Sequence, residues 1–165
     1  MVFIGSYSPA LGTVASMITW TAGLAGVAAA LFAHYVRPVP LGPLARPRAL
    51  ALAAYGACVL GELVLIAAGS SSLTAAGHDE LRPALVAAAV GLHFLPFSWA
   101  FGERMFLHLG GTVTAIGAAG LLAGALGVAR AADAAAVASG LVMIVFVVLH
   151  ARGRFTRPPL EPPAP

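Results

Sequence analysis

Glu62 and His93 are the two side chains whose chemistry fits their neighbours least. Glu62 lies in Tyr55-Gly56-Ala57-Cys58-Val59-Leu60-Gly61-Glu62-Leu63-Val64-Leu65-Ile66, and His93 lies in Val90-Gly91-Leu92-His93-Phe94-Leu95-Pro96. Both runs are otherwise apolar. An ionised carboxylate at the centre of a bilayer costs about 2.5–3.5 kcal/mol on insertion scales, so it is either protonated or partnered. At a rise of 1.5 Å per residue, Glu62 sits about 21 Å along a helix past Arg48, in the outer half of the core, and His93 about 16 Å from Arg82. The depths agree to within a turn or two, so an imidazole–carboxylate bond would satisfy both groups. Two roles remain open for such a pair: a neutral bond that holds helices together, or a site for a proton or cation. Pro96 follows His93 by three residues and frees the carbonyl of Leu92, which predicts a kink with polar backbone beside the imidazole.

A second group of residues shares one level. His34 precedes Arg37 by a turn, His108 follows Arg104 by a turn, and His150 is two residues before Arg152. With Glu103 they form a conceivable metal or haem set, but no two of these histidines share a helix at ligand spacing. The expectation is therefore no cofactor. Tyr35, Trp99 and Phe106 near the same level read as an interfacial aromatic belt. The single Cys58 excludes a disulfide framework or a cysteine metal site within one chain. Phosphate loops, GxSxG and HExxH are missing, so no enzyme is expected.

The elements that carry these residues must lie in lipid. Only 9% of the 165 residues are charged, 60% are hydrophobic, and mean hydropathy is +0.94. A soluble domain carries about 25% charged residues. Five apolar runs are long enough to cross a ~30 Å core: 11–36, 49–69, 83–101, 106–129 and 131–150. None alternates with period two, which excludes a barrel and leaves an all-α, polytopic bundle of five helices over residues 1–155. The last run, Ala-rich with Asp133 at its start, is the weakest. Residues 1–10 contain no basic side chain, so they do not resemble a cleaved signal peptide.

All nine basic residues are arginine, a composition typical of a GC-rich bacterial genome. The connections on one side hold seven of them and those on the other hold two. The positive-inside rule then places the N-terminus outside and the C-terminus in the cytoplasm of a bacterial plasma membrane. The arginines sit between apolar runs without interleaved aromatics, so nucleic acid is not an expected partner. Residues 37–43 are Pro-rich and predict an extended turn, and residues 70–80 predict a polar outer connection with a short interfacial turn at 73–76. Residues 156–165 predict a disordered, Pro-rich cytoplasmic tail. The small pairs Ala22/Gly26 and Gly120/Gly124 fit either packing within the bundle or the seam of a homo-oligomer. Thr112 and Thr114 are expected to bond back to their own helix carbonyls or across to a neighbour.

From Gly61-Glu62 through Gly91-Leu92-His93-Phe94-Leu95-Pro96 to Gly110-Gly111-Thr112, the middle third of the chain resembles a group of small bacterial integral membrane proteins marked by a Gly-Leu-His-Phe-Leu-Pro block. The resemblance implies a multi-span membrane protein and carries no activity with it. Ser98-Trp99-Ala100-Phe101-Gly102-Glu103 departs from the group, where a small residue and a shorter basic turn follow the block. The functional expectation is proton-linked passage of a small solute through the Glu62/His93 pair. Its rival is a non-catalytic accessory or scaffold subunit of a membrane complex.

Overall fold

The computed structural model describes residues 1–39 and 49–155. The predicted Pro-rich tail and most of the first Pro-rich connection lie outside them. Helices α1 (Val2–Tyr7), α2 (Thr13–Tyr35), α3 (Ala49–Ala75), α4 (Arg82–Ala100), α5 (Arg104–Ala125) and α6 (Ala131–Ala151) follow one another, with 3-10 turns at Ser8–Leu11 and Asp79–Leu81. Among the described residues there is no strand. Five of the helices, α2 to α6, are long and apolar enough to cross a membrane, and the chain is a multi-pass membrane helix bundle. The Asp133-bearing run is one of the five and packs at the centre, against α5, α4, α2 and α1.

Small residues set the closest approach. In α5, Gly110, Val113, Gly117 and Gly120 are buried at alternating spacings of three and four, and Gly124 continues the row. A Cβ on Gly91 would overlap the backbone of Thr114, one on Gly117 the backbone of Ala88, and one on Gly124 the side chain of Leu81. These pairs form one antiparallel register along α4 and α5, and only residues without side-chain bulk allow it. Gly120 meets Ala135 and Ala84, and Gly26 meets Ile144. The glycines of both small pairs thus each meet a side chain of their own bundle.

Two boundaries differ from the sequence expectation. Residues 70–75 continue α3 as helix instead of forming an outer connection. Ser72 Oγ donates to the Ala68 carbonyl at 2.9 Å and Thr74 Oγ1 to the Ser70 carbonyl at 2.9 Å, so these hydroxyls are satisfied without leaving the helix. The turn that remains is short, with Gly77 at φ +74°. Thr74 Oγ1 also lies 2.7 Å from Asp79 Oδ1, so its single proton is shared between that carboxylate and the Ser70 carbonyl, and Arg82 donates to both Thr74 and Asp79, the latter at 2.8 Å.

The second difference is at the N-terminal end, where residues 2–11 fold back on α2 as a short helix and a 3-10 turn. Gly12, at φ +97°, makes the reversal. Ile4 packs on Gly23, Gly5 on Trp20, and Ser8 Oγ lies 3.0 Å from Ser16 Oγ. Phe3 is buried against Ala87 and Ala136. Burial, and then the Asp133 carboxylate, push the Tyr7 phenol above its ordinary range, so it stays protonated.

Candidate functional site

Helices α3 and α4 run antiparallel, and their contact is organised at seven-residue intervals along α3. Leu85 covers Gly69, His93 faces Glu62, and Phe97 stacks on Tyr55 with ring centroids 5.3 Å apart. Residues seven apart return to one face after two turns, so Tyr55, Glu62 and Gly69 share a seam. Glu62 is thirteen residues from either end of α3. Its place is the middle of the helix, about 20 Å from each end, rather than the outer half. The difference comes from the extra turns at residues 70–75.

Glu62 Oε2 lies 3.1 Å from His93 Nδ1, and the two side chains are 16% and 13% exposed. The sequence expectation that they meet is therefore met by the geometry. The approach is close, but the ring N–H of Nδ1 is not aligned on the carboxylate, so this buried nitrogen makes no well-directed hydrogen bond. A close approach without an aligned bond is weaker and more easily rearranged than a made one.

A cluster of aromatic rings closes the pair on one side. His93 lies 4.3 Å from the Phe94 ring and meets Phe97 edge-on at 5.1 Å. Phe97 also meets Phe101 at 5.5 Å and Phe106 at 5.7 Å, both edge-on. Tyr55, Phe97, Phe101 and Phe106 all sit toward the α3 N-terminus, the α4 C-terminus and the α5 N-terminus, which is the arginine-rich end. They place an apolar wall between the pair and that end of the bundle. Phe106 is thereby turned inward instead of joining an interfacial belt, whereas Tyr35 and Trp99 are exposed, as a belt requires. Sequence reading missed the cluster because a Phe in an apolar run signals lipid contact and helix packing equally. The spacing of Phe94, Phe97 and Phe101, three and four apart, is the signal that could have found it.

Pro96 stays inside an uninterrupted α4 and is exposed on its surface, as Leu92 is one turn earlier. His93 reaches across to α3 and not to backbone freed by the proline.

The three histidines near the arginine-rich end have separate local surroundings. His34 stands edge-on to Tyr35 at 4.8 Å, His108 stacks on Phe155 at 6.5 Å, and His150 Nδ1 is buried without a hydrogen bond. Among the described residues no three His, Cys, Asp or Glu side chains gather as metal ligands, so His34, His108, His150 and Glu103 do not form the metal set that their common level allowed. Thr114 Oγ1 is also buried without a partner, pressed against Gly91, instead of bonding a helix carbonyl as the sequence predicted.

No known protein family, curated relative or solved structure matches this chain.

Proposed function

We infer that the Glu62/His93 pair holds an exchangeable proton and that the protein supports proton-linked passage of a small solute across a bacterial plasma membrane. The observation that carries this reading is the 3.1 Å approach of two titratable groups at mid-helix, with the imidazole nitrogen lacking an aligned bond. One proton shared between a carboxyl and an imidazole keeps the pair neutral overall, whichever group holds it. A second proton makes it cationic, and that state is costly in hydrocarbon. The pair thus has a preferred charge and a route to a transient one. The aromatic wall acts as a gate, since protons cannot cross packed rings unless Phe97 moves.

The orientation that goes with this reading has the arginine-rich end in the cytoplasm. Arg82, on the opposite end, is held 2.8 Å from Asp79. Reconstituted vesicles with a trapped pH dye test the function. Wild-type protein should pass protons when an acid gradient is imposed, and Glu62→Gln should reduce that flux roughly a hundredfold. Flux that survives Glu62→Gln would remove the pair from the pathway.

A second reading, the accessory or scaffold subunit, draws support from α3. Only Ala51 of this 27-residue helix is buried, and the helix packs chiefly against α4. Leu60, Leu63 and Val64 face outward and are open to lipid or to a partner subunit. A wild-type protein that conducts no protons, with Glu62→Gln changing only its stability, would favour this role.

A further inference from the structure

A groove of about 470 Å³ runs between α2 and α6, on the flank of the bundle away from the Glu62/His93 pair. Ala22, Gly26 and Ala29 form its α2 wall, and Ile144 and Val148 belong to its α6 wall. The small side chains of Ala22 and Ala29 leave it open on either side of Gly26, over which Ile144 packs. Its lining is hydrocarbon until Arg152, which stands at the arginine-rich end of α6. Arg152 is exposed, and among the described residues no carboxylate lies within ion-pair distance of it.

We propose that this groove binds one anionic phospholipid, with an acyl chain between α2 and α6 and the headgroup phosphate on the Arg152 guanidinium. The shape fits a chain that enters from the interface. From Leu141, the deepest α6 residue of the lining, to Arg152 is eleven residues, about 16 Å along the helix. The charge fits as well. A guanidinium offers a planar fork of donors to phosphate oxygens, and among the described residues no carboxylate competes for it. Anionic lipid is also concentrated in the leaflet toward which the arginine-rich end is expected to face. A zwitterionic lipid would fill the same slot with its chain but gain less at the headgroup.

Native mass spectrometry of the full chain, released from micelles doped with phosphatidylglycerol or phosphatidylcholine, reads this directly. Wild-type protein should retain one phosphatidylglycerol about fivefold more than phosphatidylcholine. Arg152→Gln should erase the preference while leaving a basal level of either lipid. Ala29→Leu fills the slot and should lower retention of both; if that variant does not fold, Arg152→Gln decides the matter alone. A wild type without headgroup preference, or a preference that persists in Arg152→Gln, would overturn the proposal. Inorganic phosphate is the remaining arm. If millimolar phosphate displaces the lipid or raises the melting temperature as much as phosphatidylglycerol does, the site recognises a free anion and the acyl-chain assignment is wrong.

Discussion

Glu62 and His93 were legible as a pair because each interrupts an apolar run, and a polar group in hydrocarbon must find something to bond. Their depth was less legible, since it depends on where α3 ends. The surroundings were hidden altogether. In helices that are apolar all round, hydropathy does not tell which face of α4 turns toward α3, so the rings of Phe94 and Phe97 could not be placed beside the imidazole. Pro96 was legible as a gap in the backbone bonding of α4, and α4 is helical on both sides of it. The proline is exposed within a continuous α4 and has no N–H to offer the Leu92 carbonyl one turn back. Pro96→Ala should therefore be tolerated, changing stability by less than about 1 kcal/mol, because it restores one backbone bond and fills no packed position. Thermal unfolding in detergent checks this. A large loss would show that the ring is needed for packing.

At the scale of elements, the five long helices followed from length and composition, while two of their ends did not. Ser70, Ser71 and Ser72 read as a connection because hydroxyls in sequence signal turns, yet in a helix Ser and Thr can return their protons to carbonyls one turn back. Nothing local distinguishes the two outcomes. The fold-back of α1 onto α2 was missed for a related reason, since a six-residue segment is too short to show a period. The α4–α5 seam was partly visible in Gly120 and Gly124, and it extends to Gly110, Gly117 and Gly91. Gly117→Val should push α4 and α5 apart and destabilise the bundle by about 1–3 kcal/mol or more, because its Cβ would meet backbone that cannot move aside. Gly61→Val, on the open side of α3 with nothing within 4 Å, is the control and should change little. Equal losses in the two variants would mean that the seam is not where close approach matters.

For the whole molecule, the arrangement is asymmetric: α4, α5 and α6 form the packed centre, while α2 and α3 are flanking helices with most of their surface uncovered. The arginine imbalance predicts how this body is oriented. A reporter inserted at Gly77 should be active outside, and one fused after Pro165 should be active in the cytoplasm; the reverse pattern would invert the assignment of both ends. Because α3 packs chiefly against α4, the polar contact at its middle should help hold that flank to the centre, and the proton reading begins from it. The most direct test is a double-mutant cycle with Glu62→Ala and His93→Ala, read by thermal stability in detergent. Polar contacts between membrane helices average about 0.6 kcal/mol and reach about 1.7 kcal/mol, so a coupling energy within that range is the predicted result. Strictly additive losses would contradict it, showing that the carboxylate and the imidazole stand 3.1 Å apart without depending on each other.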